Sequence, residues 1–276
     1  MAEITASLVM ELRQKTGAKM MDAKRALVDA DGNFDKAVEV LREKGQADAA
    51  KRTHRTTAEG VVVTAQSADH SSAALVELNC ETDFVAKTDQ FLALASKLVN
   101  FVLGQPAGEM TGEDLPEELQ NDIKEAISKT GENIQCRRAV KVAAENGVVE
   151  SYIHLGGKIG VLVHVEGSTG EATCDLAKDL AMQVAAANPD YLTRHHVPTS
   201  KIESEKEIYR NLGRNEGKKE EFLDRIAEGR LDKFFKENCL EEQSFIKDPD
   251  SSVHDLVAKT CPGLAIKYFV RYQLGA

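Results

Sequence analysis

Apolar positions change period along the chain, and the changes divide it into segments. In the first 45 residues they recur three and four apart, which is the spacing of one helix face. Leu8, Val9 and Leu12 share a face in a segment that Gly17 ends. Met20, Met21, Ala23 and Leu27 form a second helical pattern up to Gly32, and Phe34, Ala37, Val38 and Leu41 a third up to Gly45. Asn33 is the expected N-cap of the third helix, because its side chain can accept from unpaired first-turn amides. Glycine ends a helix because it enters the left-handed conformation at little cost. The polar, basic segment 46–59, with Lys51, Arg52, His54 and Arg55, reads as a linker.

Beyond it the period shortens. Segments 60–65 and 73–78 are strand-like runs around a polar turn containing Asp69. Thr88 is placed to cap a helix carrying Phe91, Leu94, Ala95, Leu98 and Val102, stopped by Gly104. Pro116 suits the first turn of the next helix, which turns Leu119, Ile123 and Ile127 inward. From Ile134 the period is two, with Cys136, Arg138, Val140 and Val142 on one side. Asn146-Gly147 is a hairpin signal, since both residues tolerate positive φ. Segments 148–154 and 159–165 give two more strands turned at Gly156-Gly157, and 171–187 is an amphipathic helix (Leu176, Leu180, Val184) ended by Asn188-Pro189.

The segment 201–236 is densely charged and carries two short stripes. The first is Ile208 and Leu212, the second Leu223, Ala227, Leu231 and Phe234, with Gly213, Asn215 and Gly217 between them. An antiparallel helical hairpin projecting from the body is the economical reading. Ser252 and Asp255 form a capping box, and Ile266, Tyr268, Val270, Tyr272 and Leu274 alternate as a last strand. The strand-pair-then-helix pattern of 60–103 returns at 148–187. The fold class predicted is therefore α+β: a helical head (1–55), then two related halves (56–140 and 141–276), the second bearing the hairpin at about 200–236.

Charge and composition narrow the function. The net charge of −10 speaks against general affinity for a nucleic acid backbone, which needs a basic surface to replace counterions. No apolar run reaches the roughly 18 residues of a membrane-spanning helix. The start, Met1-Ala2-Glu3-Ile4-Thr5, lacks the basic and apolar regions of a secretory signal, so a cytoplasmic chain is expected. The cysteines Cys80, Cys136, Cys174, Cys239 and Cys261 are widely spaced with no Cys-x-x-Cys pair, and read as small apolar core residues.

No phosphate-loop, dinucleotide-binding, nucleophile-elbow or zinc-hydrolase motif occurs. Gly156-Gly157-Lys158-Ile159-Gly160 has residue types suited to phosphate but lies between two strands, where a β-turn is expected. His195-His196 lacks a third ligand at helical spacing. No catalytic residue, cofactor or metal is therefore assigned, although a site assembled from distant residues would leave no motif. The odd feature is Asp83-Phe84, on a strand-to-helix corner that should be a connecting loop. Phe84 either folds back on its own core or stands out as a wedge for a partner, with Asp83 as an adjacent acceptor. Met20 and Met21 pose the same choice, since both cannot face one side of a helix.

The ordered motifs Leu12-Arg13, Thr16-Gly17-Ala18, Met20-Met21-Asp22, Thr82-Asp83-Phe84-Val85-Ala86-Lys87, Gly131-Glu132-Asn133-Ile134 with Arg137-Arg138, and Ser151-Tyr152, His154 and 159–163 resemble the elongation factor Ts family over essentially the whole chain. The resemblance implies a ubiquitin-associated-like three-helix head, a two-part core with antiparallel sheets, and a protruding coiled-coil hairpin. It implies a non-enzymatic guanine-nucleotide exchange factor that binds elongation factor Tu and promotes GDP release. By it, Met20, Met21, Asp83, Phe84 and His154 contact the partner, and Thr82, Asp83, Phe84 and Val85 dislodge the partner's Mg2+. It leaves open a homodimer or a heterotetramer with the partner. The rival readings are an adaptor or scaffold that keeps the head and gives Phe84 no role, and a hydrolase with an unrecognised site. Thr130 departs from the large aliphatic residue frequent in the family, and the chain stops at Gly275-Ala276, short of the C-terminal helix that some members carry.

Overall fold

The computed structural model describes residues 4–260 and 262–276, with side chains 46–50 left aside. Met1-Ala2-Glu3 of the head motif and the core assignment of Cys261 lie outside the described residues. Three helices come first: α1 (Ala6–Thr16), α2 (Met20–Asp29) and α3 (Phe34–Ala50). Thr5 caps α1 by accepting from Leu8 N–H, and Asn33 Oδ1 accepts from Lys36 N–H at the start of α3. Val9, Leu12, Ala23, Ala26, Leu27 and Ala37 close the head's small core.

The body holds β1 (Glu59–Gln66), β2 (Ser72–Cys80), α4 (Asp83–Ala86), α5 (Asp89–Leu103), β3 (Gly108–Met110), α6 (Glu117–Thr130), β4 (Gln135–Ala143), β5 (Gly147–His154), β6 (Ile159–Glu166) and α7 (Glu171–Ala187). Then follow α8 (Thr199–Asn215), α9 (Leu223–Asn238), the short β7 (Ser244–Phe245) and β8 (Asp248–Ser252), α10 (Val253–Thr260) and β9 (Ala265–Gln273). One antiparallel sheet has the order β1-β2-β4-β3, a second β5-β6-β9.

The layers follow from the faces of the strands. On β2, Ala74, Val76 and Leu78 meet Phe91, Leu94 and Leu98 of α5 and Leu119 and Ile123 of α6. Its alternate residues Ala73 and Leu75 face the other way, onto Val149 of β5, Leu162 of β6 and Tyr272 of β9. The second sheet in turn packs Val161, Val163 and Val165 against Leu176, Leu180 and Val184 of α7. The result is helix, sheet, sheet, helix. Glu77 falls on the inter-sheet face, fully buried. Its carboxylate is held by Arg138 Nε at 2.6 Å, Asn79 Nδ2 at 3.1 Å and the Gly275 amide at 3.0 Å, while the Arg138 guanidinium lies over the Tyr272 ring.

Four expectations need correction. Gly45 does not end the third helix. It lies inside α3 at the contact with α6, where a Cβ would stand 2.7 Å from Ser128 Oγ, so the helix consumes the first part of the predicted linker. Asn146-Gly147 does not make a hairpin, because β4 and β5 belong to different sheets. Neither residue has positive φ, and Gly147 is required because a Cβ there would lie 2.2 Å from Val165 O. In the helical hairpin the second stripe is buried as expected, but Ile208 and Leu212 are half-exposed. The α8 side of the seam is instead Ile202, Tyr209 and Gly213, the last against Leu223. Finally, the alternation of β9 breaks at a bulge opposite His164/Val165, leaving Ile266 with the α7 face and Tyr272 between the sheets, and Tyr268 exposed.

The cysteine reading holds for those described and buried. Burial pushes the Cys80 and Cys136 thiols up to about 12 and Cys239 up to about 11, which makes them inert core residues. No helix among the described residues is long and apolar enough to cross a membrane.

Candidate functional site

The segment after β2 is a single helical turn, α4, and not the irregular loop expected. Thr82 makes it so: its extended backbone and its Oγ, which accepts from Val85 N–H, form an N-cap. Glu132, which follows the left-handed Gly131 ending α6, clamps the turn from below. Its carboxylate accepts from Thr82 Oγ at 2.6 Å, Thr82 N–H at 3.0 Å and Glu81 N–H at 3.2 Å. In return Glu81 accepts from Asn133 N–H at 2.7 Å, and that hydrogen bond, with Arg55 beside it, holds the Glu81 carboxyl below its usual range. Asn133 Nδ2 donates to Arg55 O at 2.9 Å. The two sequence motifs at 82–87 and 131–134 are thus one cross-tied unit.

On this clamped turn Phe84 is 81% exposed, while Ala86 is buried and Val85 packs against the core. The open choice for Phe84 is therefore settled: the ring does not fold back on its own core. Asp83 accepts from Lys87 Nζ at 2.6 Å, one helical turn on, and that contact lowers the Asp83 carboxyl below its usual range. Lys158 lies near enough to lower it further, so the β5–β6 turn borders the corner. That turn is anchored to β1 by Val62 N–H donating to Gly157 O at 2.7 Å and by the Lys158–Glu59 pair at 2.6 Å.

His154 ends β5 beside this turn, half-buried, with its Nδ1 3.1 Å from the Tyr152 hydroxyl. No hydrogen bond joins it to Asp83 or Phe84 among the described residues. The next residue, Leu155, was not singled out from the sequence. It is 67% exposed with a φ of 50°, an apolar side chain raised on the tip of a turn. The available signal was its position, a leucine between His154 and two glycines where polar residues are the norm.

Met20 and Met21 open α2 and are 42% and 57% exposed, so neither is a core residue. The core face of α2 is Ala23, Ala26 and Leu27. Lys19, immediately before them, reaches to within 3.9 Å of a Cβ built on Gly131, next to the Glu132 that braces Thr82. The head's second helix thus starts close to the scaffold of the corner. Thr130 donates to Ala126 O at 2.8 Å and accepts from Glu132 N–H at 3.2 Å. In this chain its hydroxyl helps to place the bracing carboxylate, a use that an aliphatic residue could not serve.

His195 and His196 lie in a short 3₁₀ turn, His196 hydrogen-bonded to Thr193. The glycines 156 and 157 form the β5–β6 turn, each at positive φ, as expected for a β-turn. At the corner the Thr82 hydroxyl is engaged with Glu132, and the exposed surface is chiefly apolar. The arrangement joins a rigid exposed aromatic ring, a flanking carboxylate, a leucine on the adjacent turn and two exposed methionines on the head.

Comparison with known proteins gives a consistent family. A family profile described as Elongation factor TS matches residues 81–276, which include the whole corner. Elongation factor Ts of Clostridium botulinum (strain Eklund 17B / Type B) is 47% identical over 282 residues, covering 99% of this chain and 93% of that protein. Elongation factor Ts of Chlorobaculum parvum (strain DSM 263 / NCIMB 8327) is 44% identical over 291 residues and covers all of both chains. Elongation factor Ts of Clostridium botulinum (strain Loch Maree / Type A3) is 44% identical, covering 99% of this chain.

Proposed function

The chain belongs to the elongation factor Ts family and is a translation elongation factor, and from that premise we propose that it acts without covalent chemistry, as a guanine-nucleotide exchange factor for elongation factor Tu in the cytoplasm. The observation that carries the reading is Phe84, an aromatic ring almost wholly exposed on a turn whose backbone is pinned by Glu132. An exposed aromatic on a mobile loop would lose much of its binding energy to ordering. On a clamped turn that cost is met on folding.

In this reading Asp83 and Phe84 press between two helices of the partner's GTPase domain, and the turn from Thr82 to Val85 dislodges the Mg2+ there. The ion bridges nucleotide phosphates and offsets their charge, so losing it weakens GDP binding. By linkage, the free energy with which this chain opposes GDP equals that with which GDP opposes this chain. Met20 and Met21 supply an adaptable contact from the head, and His154 with Leu155 extends the apolar footprint along the β5–β6 turn. The work divides among the three segments 1–55, 56–140 and 141–276: head contact, wedge, and the sheet that backs it with the helical hairpin beyond.

The direct test is release of a fluorescent GDP analogue from the cognate elongation factor Tu. Catalytic amounts of the chain should accelerate release, and excess Mg2+ should blunt the effect. Binding without acceleration would favour the adaptor reading instead.

A further inference from the structure

At the end of the β1–β2 hairpin away from the corner, three side chains from three elements converge. His70 lies in the turn after β1, Glu150 on β5 and Cys174 in the first turns of α7. One ligand atom from each lies within 4.8 Å of the others. Glu150 is buried, and the imidazole Nδ1 of His70 is the only hydrogen-bond partner of its carboxylate among the described residues. The backbone of His70 is fixed at a φ of 58° by its own N–H donating to Ser67 O and by Val149 N–H donating to its carbonyl. Such a conformation is uncommon for a residue other than glycine, although histidine is among the residues enriched there, and it fixes the turn that carries the ring.

The chemistry of the cluster calls for a proton or a cation between its ring nitrogen and its carboxylate. The Nδ1 lone pair and a carboxylate oxygen cannot face each other without a proton or a cation between them. Gln66 Nε2 also lies 2.7 Å from Nδ1, and Gln66 is itself held through Ser151 Oγ at 3.2 Å. Glu171 and Asp175 add negative potential around Cys174. A nitrogen, a carboxylate oxygen and a sulfur are the mixed donor set of zinc-class ions and not of Mg2+ or Ca2+. Three protein donors leave a fourth position for water.

We propose that His70, Glu150 and Cys174 form a binding site for a thiophilic divalent cation of the zinc class. The ion takes the Nδ1 lone pair, so the Gln66 amide moves aside, and the thiol gives up its proton. Affinity therefore rises with pH. The three residues are far apart along the chain, which is why no ligand spacing was visible in the sequence.

The test is a Co2+ titration of the full chain after chelator treatment and reduction, under anaerobic conditions. A near-ultraviolet thiolate charge-transfer band should saturate at one Co2+ per chain and vanish when Zn2+ displaces it. Cys174→Ser should abolish the band, and His70→Asn, chosen because asparagine tolerates positive φ, should weaken binding about tenfold or more, as should Glu150→Gln. Zn2+ should also raise the melting temperature of the wild-type chain, a readout that needs no variant. Absence of the band, its survival in Cys174→Ser, unchanged affinity in His70→Asn, or no rise in melting temperature would each overturn the site in favour of a proton shared by His70 and Glu150.

Discussion

Replacing Glu132 with alanine tests whether the corner's rigidity is built by one carboxylate. The change removes the acceptor for three hydrogen bonds, from Thr82 Oγ, Thr82 N–H and Glu81 N–H. Hydrogen bonds to a buried ionised group are worth about 1.5–3 kcal/mol each. These are part-buried and water can replace the acceptor, so about 1 kcal/mol each is a fair discount, or about 3 kcal/mol in all. That is below the total stability of about 5–15 kcal/mol usual for a domain, so the chain stays folded. It corresponds to about a 100-fold shift toward the open state of the turn, at 1.4 kcal/mol per factor of ten. Native-state hydrogen exchange reads this at Val85 and Ala86, whose amides bond to Thr82 Oγ and Thr82 O and do not touch Glu132. Their protection should fall about 100-fold. GDP release from elongation factor Tu should slow in the same variant although Phe84 is intact. Unchanged protection would refute the clamp, and lost protection with undiminished release would refute the need for a rigid wedge.

Other consequences concern the scaffold. Glu77→Ala removes the buried partner of Arg138 and should cost about 3–5 kcal/mol, read as a lower urea midpoint. Gly45→Val drives a side chain into Ser128 and should destabilise the chain by about 1–3 kcal/mol, and Ser128→Gly in the same chain should recover part of the loss in a double-mutant cycle. The buried Nε2 of His164 has no hydrogen-bond partner among the described residues, and burial holds the ring below its usual value of 6.5. The neutral ring is the folded form, so this stability is whole above the unfolded value and is lost as pH falls from there through the lower folded value. His164→Leu should flatten the fall in denaturation midpoint as pH drops below about 6.5.

Much of the architecture was legible because it rests on local rules. Asn33, Thr88 and the Ser252/Asp255 box cap helices where short-range chemistry says they should. The apolar periods of α5 and α7 match their buried faces. What failed depended on contacts distant in sequence. Gly45 looks like a terminator until α6 is placed against it. Asn146-Gly147 looks like a hairpin until β4 and β5 are seen to part into two sheets. Ile208 and Leu212 have core spacing, yet Gly213 and Tyr209 are what meet α9, because close helix approach favours a small residue at the seam.

The candidate site was legible unequally. The segment 82–87 stood out by its aromatic residue, but whether Phe84 pointed in or out could not be read from a pattern with an equal claim on both. Glu132 and Thr82 are 50 positions apart, and their tie is a tertiary fact. The same holds for Leu155, which becomes interesting only beside the corner, and for the convergence of His70, Glu150 and Cys174.

The central claim is that Phe84 is the wedge, and its direct measurement is the rate of fluorescent-GDP release with Phe84→Ala. Burying such a ring contributes about 1.5–3 kcal/mol. The account predicts release slowed about 10- to 100-fold at equal concentration, with the melting temperature little changed because the ring is 81% exposed in the free chain. Release as fast as wild type from a folded Phe84→Ala chain would contradict it.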